Sequence, residues 1–334
     1  MDSCDVGNEY DGRMPLRISA IFVILLGSAL GAWFPVFASR RSGWSLSPSV
    51  FFFFRYFGSG VILATAFIHL LAPASEALRN PCLTGPITAY SWVEAICLMS
   101  IFVLFFVELL TMRYTTGFTH PTNKSESEQA SSSDPAVELS PNNDNDKTTP
   151  DSSSLAAQAS SPHHHDALAS SFPAQLAGVF ILEFGVIFHS VFIGLTLAVS
   201  GAEFPTLYVV LVFHQTFEGL AIGSRLATID WPRSKRRTPY FLGLAYALST
   251  PIAIAAGLAV RASLEVGGAS FLIINGVFDA ISAGILIYTG LVELMAHDFI
   301  FNPKMHTAPV SRLAAAGGIM CLGAGLMALL GNWA

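Results

Sequence analysis

Eight stretches of this chain stay apolar for about 20 residues or more, the length a helix needs to cross roughly 30 Å of hydrocarbon. They run from Arg17 to Ala38, Val50 to Ala72, Trp92 to Arg113, Ala174 to Val199, Thr206 to Ala227, Pro239 to Val260, Ala269 to Ala296, and Arg312 to Trp333. Lipid offers the backbone no water to bond, so each run must close its hydrogen bonds within itself as a helix. The expected fold is all-α, a polytopic membrane protein with eight transmembrane helices. Only 12% of the 334 residues are charged, about half the share usual in a soluble domain.

A formal net charge of −6 leaves no clustered basic face of the kind that nucleic-acid binding needs, and that class is set aside. The first apolar run follows Asp2, Asp5, Glu9 and Asp11, where a secretory signal would carry basic residues ahead of a shorter apolar stretch. It reads as a first span. Cys97 and Cys321 fall inside spans and read as small buried apolar residues. Cys4 and Cys82 fall in two loops on one membrane side, and an extracytoplasmic compartment would permit a disulfide between them.

Lysine and arginine near span ends are retained in the cytoplasm. Taking alternate loops, one side holds Arg40, Arg41, Arg113, Lys124, Lys147, Arg225, Arg233, Lys235, Arg236, Arg237, Lys304 and Arg312, and the other only Arg13, Arg17, Arg79 and Arg261. The bias places both termini outside the cytoplasm. Three regions follow: 1–113, the N-terminal tail and helices one to three; 114–171, a cytoplasmic loop; and 174–334, helices four to eight with the candidate site. The Ser, Asn, Asp, Thr and Pro content of the loop predicts disorder. Its sequon at Asn123 would stay bare on the cytoplasmic side, and its tract His163, His164 and His165 is a candidate for loose metal capture or sensing.

Ionisable groups inside a bilayer cost about 2.5–3.5 kcal/mol each on insertion scales, so they face the protein interior and mark function. Span four holds Glu183 and His189; span five holds His214 and Glu218; span seven holds Asp279, Glu293 and His297. Span two adds His69 and Glu76, and span three adds Glu94 and Glu108. At a rise of about 1.5 Å per residue, His189 lies roughly 15 Å and His214 roughly 12 Å below the same membrane face. Glu218 follows His214 by one turn and shares its face. Spans four and five also echo each other, each reading His, four residues, Gly, a pattern that points to a binding site at a repeat interface.

A lone intramembrane histidine is usually a hydrogen-bonded packing residue. Two at one depth beside a carboxylate make a ligand set instead, and two imidazoles with one carboxylate suit zinc while leaving a labile fourth position. The same donors accept ferrous iron, manganese, cobalt or cadmium, with geometry and availability setting selectivity. The metal is cargo, and no resident cofactor is expected. Asp279, Glu293 and His297 fall close to one stripe of span seven that leads to the cytoplasm; Asp279 is a pathway candidate, and Glu293 and His297 read as an inner exit relay, with Glu183 on the same descent. His69 and Glu76, seven residues apart, read as an outer funnel. Glu94 reads as interfacial. Gly317, Cys321 and Gly325, spaced by four, read as a small-residue stripe for close helix packing.

These motifs resemble the ZIP (Zrt/Irt-like) family of zinc and iron transporters, particularly its fungal plasma-membrane members. The resemblance runs through Arg17 to Ile24, Gly60 to Leu71, Glu183 to Val191, His214 to Gly219 and Asp279 to Glu293. It implies spans one to three and six to eight as inverted repeats around spans four and five, a 3+2+3 arrangement, with a homodimer as the common assembly. It also implies inward metal movement across the plasma membrane. Carried over residue by residue, His189, His214 and Glu218 match the family's primary metal site, with Ser190 and Gln215 beside it, and Glu293 matches a pathway carboxylate. Members with two adjacent metal sites have Glu where this chain has Ile193 and Thr250, so a single, mononuclear site is expected. Phe217 stands where the family commonly has proline.

The expected function is transmembrane transport of divalent metal ions, most simply zinc uptake. Two other classes would use the same donors. A membrane-embedded zinc-dependent hydrolase needs a general base and an acyl pocket, and no His-Glu-x-x-His segment occurs. A metal sensor without flux would rest on the loop histidines.

Overall fold

The computed structural model describes residues 9–40, 47–117, 172–263 and 267–333. Cys4, Asn123, the histidine tract 163–165 and nearly all of the 114–171 loop lie outside them. Eight long helices carry the apolar runs: α1 (Met14–Arg40), α2 (Pro48–Leu78), α3 (Trp92–Gly117), α4 (Phe172–Val199), α5 (Phe204–Thr228), α6 (Thr238–Ala259), α7 (Ala269–Ile300) and α8 (Val310–Leu330). Each contains a stretch long and apolar enough to cross a membrane. Prolines stand in the first turns of α2, α5 and α6, where the missing N–H has no intrahelical partner to lose.

Two helices leave α-helical winding part-way along. Thr65–Leu71 in α2 and Thr289–Ile300 in α7 wind as π-helix, which widens each turn and rotates every residue beyond it relative to α-helical register. Charged residues that α-helical spacing puts on one stripe are thereby redistributed.

Packing follows small residues. The most extensive contacts join α1 to α5, α2 to α7, α4 to α6, and α2 to α8; further contacts run between α1 and α6, α3 and α7, α4 and α7, and α2 and α5. At the α2–α8 crossing a Cβ on Gly60 would sit 1.9 Å from the Met320 carbonyl oxygen, and one on Gly323 would sit 2.2 Å from that of Phe57. Where α5 meets α1, a Cβ on Gly223 would fall 2.4 Å from the Ala32 carbonyl oxygen. Lipid is as apolar as leucine, so helices in a bilayer gain by such close approach and not by apolar burial alone.

On α8 the packing face differs from the predicted one. Ala316, Gly323 and Met327 face the bundle, whereas Gly317 and Gly325 have no neighbour within 4 Å of an added Cβ and Cys321 is exposed. Spacing by four describes two faces of this glycine-rich helix equally well, and the partner helix selects one. Cys97 is buried and free, as expected, while Cys82 is disulfide-bonded.

Arg17 also departs from its reading as a flanking charge. Its side chain is fully buried. It donates to the carbonyls of Leu197 at 3.1 Å and Ala198 at 3.0 Å, and pairs with Asp11 at 2.7 Å. Its guanidinium lies over the Phe204 ring, 4.4 Å from the centroid. The last carbonyls of α4 have no intrahelical donors, and Arg17 supplies them while fixing the α4–α5 hairpin to α1.

A candidate metal centre between α4 and α5

His189 lies ten residues before the end of α4, and His214 lies ten residues after the start of α5. The short link from Val199 to Phe204 makes these helices an antiparallel hairpin, so equal offsets give equal depth. The two imidazole centroids are 5.8 Å apart, and Glu218 projects from the same face of α5 with Oε1 3.3 Å from His214 Nε2. One ligand atom from each of His189, His214 and Glu218 falls within 4.8 Å of the others, and all three residues are buried. Among the described residues no other group of three such side chains converges in this way.

The polar accounting separates packing from ligation. His189 Nε2, His214 Nε2 and both oxygens of Glu218 are buried without an aligned hydrogen bond, His214 Nε2 and Glu218 Oε1 meeting only each other, at 3.3 Å. Each such atom costs about 1–3 kcal/mol, and native proteins rarely leave several together. Histidines that served only packing would be hydrogen-bonded. One dication coordinated by all four atoms removes the penalty at a stroke, so the donor set fits a metal.

His189 is oriented from behind. Its Nδ1–H donates to Asp279 Oδ1 on α7 at 3.4 Å, which leaves the lone pair on Nε2 facing the cluster. A carboxylate behind a ligating imidazole fixes its tautomer and raises its basicity. Asp279 thus stands directly behind this cluster, away from Glu293 and His297 further along α7.

Ser190 and Gln215 adjoin the cluster but occupy each other. Gln215 Nε2 donates to Ser190 Oγ at 3.3 Å and to Thr250 Oγ1, while the Tyr246 hydroxyl donates to Gln215 Oε1 at 2.6 Å. With its amide so engaged, Gln215 braces α4, α5 and α6 around the site. Thr250, standing where two-site relatives have Glu, is part of that brace.

His69 and Glu76 are not brought together. His69 is buried with its ring edge-on to His214, centroids 4.7 Å apart, and its Nε2 bonds the Met327 carbonyl at 2.9 Å. Glu76 is exposed. The π-helical turns after Thr65 break the two-turn register that seven residues would otherwise keep. Glu94 is exposed and pairs with Arg79 at 2.8 Å.

Glu183 is buried six residues from His189 toward the start of α4, with Oε1 unpartnered. Past it, where α4 begins and α3, α5 and α7 end, lies a cavity of about 300 Å³ whose walls include Glu108, Arg225, Tyr288, Glu293 and His297. Glu293 and His297 thus share one chamber, and Asp279 is separated from it. Arg225, Arg55 and Tyr288 in and around this chamber escaped the sequence reading, because basic and phenolic residues near span ends look like ordinary interfacial anchors.

A helical bundle of eight membrane-crossing segments, holding one buried two-imidazole, one-carboxylate cluster at equal depth on a hairpin, has the build of a transporter for a divalent metal ion. The family profile described as ZIP Zinc transporter matches residues 14–331. The chain is 42% identical to Zinc-regulated transporter 2 of Saccharomyces cerevisiae, covering 100% of this chain and 98% of that one. It is 45% identical to Zinc-regulated transporter 1 of the same yeast, over 98% and 90% of the two chains. With Zinc-regulated transporter 1 of Schizosaccharomyces pombe the identity is 40%, over 98% and 87%. The chain belongs to the ZIP zinc transporter family, and it is a transporter, not an enzyme.

Proposed function

We propose that this protein takes up zinc into the cytoplasm through a single intramembrane site whose ligands are His189, His214 and Glu218. The observation that carries the reading is the convergence of four buried donor atoms on those three residues, none with an aligned hydrogen bond. A hydrated ion sheds water onto them from the outer side, where His69 borders the site. It then descends past Glu183 to the chamber lined by Glu293 and His297. An interior-negative potential adds about 2.3 kcal/mol per charge per 100 mV in the same direction.

The plasma membrane is the expected location, with both termini outside and the 114–171 loop in the cytoplasm. The positive charge of the loops on the chamber side supports this orientation. The 3+2+3 arrangement is supported by the helix contacts. Exchanging α1 with α6, α2 with α7, α3 with α8 and α4 with α5 carries the main contact pairs onto one another, and the two π-helical segments fall in exchanged helices. A homodimer is the expected assembly, and iron, manganese, cobalt and cadmium are the competing ions.

Radiotracer zinc uptake in cells lacking their own zinc importers tests the assignment. His214→Ala is expected to abolish saturable uptake at unchanged surface expression. Full flux through that variant would remove the site from the pathway.

A further inference from the structure

The chamber beyond Glu183 contains an arrangement that transport as such does not call for. Glu293 is mostly buried, and its Oε2 accepts from Arg225 Nη2 at 3.2 Å. The carboxylate lies directly against Gly178 of α4, where an added Cβ would push the end of the Glu293 side chain aside. Arg225 stands seven residues after Glu218 on α5, close to two turns, and so extends the face that carries His214 and Glu218. The other charges of the chamber have partners of their own. Arg55 pairs with Asp298, Nε to Oδ2 at 2.7 Å, and Glu108 accepts from the Tyr288 hydroxyl. His297 completes the lining.

Without Arg225, the same chamber would present two carboxylates and an imidazole to an arriving dication. These three do not converge as the central ligands do, yet an uncompensated Glu293 carboxylate beside them is an oxygen donor on which the cargo can linger. A guanidinium is permanently charged and cannot ligate a metal. It can neutralise Glu293 and repel a dication over short range.

We propose that Arg225 is a tethered counter-cation for Glu293, occupying the exit carboxylate so that the departing ion is drawn into the chamber but not retained there. The inference rests on the transport reading above, and goes beyond it by giving Arg225 a role in release. The ion exchanges with a built-in cation and leaves when the pair closes again.

The test uses full-length protein in lipid nanodiscs for zinc stoichiometry by equilibrium dialysis, and in proteoliposomes for initial uptake rates. Wild type and Arg225→Lys, which keeps the cation, are expected to retain one zinc per chain. Arg225→Gln should retain a second and lose roughly tenfold in maximal rate, since removing one member of a buried pair exposes the full charge of the other. Glu293→Gln leaves a lone guanidinium in the exit and should also slow uptake. The double variant Arg225→Gln with Glu293→Gln should return to one zinc and transport faster than either single variant. The second zinc in Arg225→Gln is the readout that a merely structural salt bridge would not move, because removing both members of a buried pair restores function on either view. An unchanged stoichiometry in Arg225→Gln would overturn the proposal, as would a double variant no faster than Glu293→Gln alone. His214→Ala run in parallel keeps the two readings apart, because it removes the central zinc whatever happens at Glu293.

Discussion

His189 presents Nε2 to the cluster because Nδ1 is turned to Asp279, and this second contact is the one that α-helical spacing could not supply. Asp279→Asn keeps the shape but weakens the acceptor and permits the wrong tautomer. The expected outcome is a loss of roughly 10- to 100-fold in zinc affinity, the usual consequence of removing an outer partner of a ligating histidine, with helix content unchanged. Titration of purified protein followed by circular dichroism checks both halves. Gln215 makes the complementary case. Its bonds to Ser190, Thr250 and Tyr246 mark it as a brace, so Gln215→Ala should lower thermal stability by about 1–3 kcal/mol through the orphaned hydroxyls. The three proposed ligands were legible from depth and one-turn spacing. Their supporting partners were not, because those come from helices distant in the chain.

At the level of helices, the π-helical turns of α2 and α7 decide what neighbours what. They move His69 to the edge of His214, leave Glu76 outside, and separate Asp279 from Glu293. No residue pattern in those segments announces a wider turn, and a rotation of register appears only once neighbouring helices are in place. Close helix contacts give a sharper expectation. Gly60→Leu forces a side chain into the Met320 carbonyl, and backbone on both sides cannot yield, so α2 and α8 must part. A lowered melting temperature and poor recovery from detergent should follow, whereas Gly317→Leu, on the lipid-facing side of α8, should be tolerated. Arg17→Met should also destabilise. It retains much of the apolar stem but leaves the Leu197 and Ala198 carbonyls buried without a donor. The expected cost is on the order of 1–3 kcal/mol per orphaned group, read as a fall in melting temperature by tryptophan fluorescence.

For the whole molecule, the proposed orientation rests on the basic loops, and it carries a direct check. With the 114–171 loop in the cytoplasm, the sequon at Asn123 remains unglycosylated, so deglycosidase treatment of protein from a eukaryotic membrane should leave its mobility unchanged. A sequon placed in the link between α2 and α3 should be modified. The amino-acid sequence alone determined that the chain lives in lipid, how many segments are long and apolar enough to cross it, and which two histidines and carboxylate stand at one depth. These are properties of composition, length and local periodicity, each decided within a single segment. Tertiary structure decided which face of α8 packs, that Arg17 is an internal cap, that Asp279 stands behind His189, and that Arg225 holds Glu293. Each of these is a meeting between helices far apart in the chain, and a pattern within one helix constrains its own faces without naming what will lie against them.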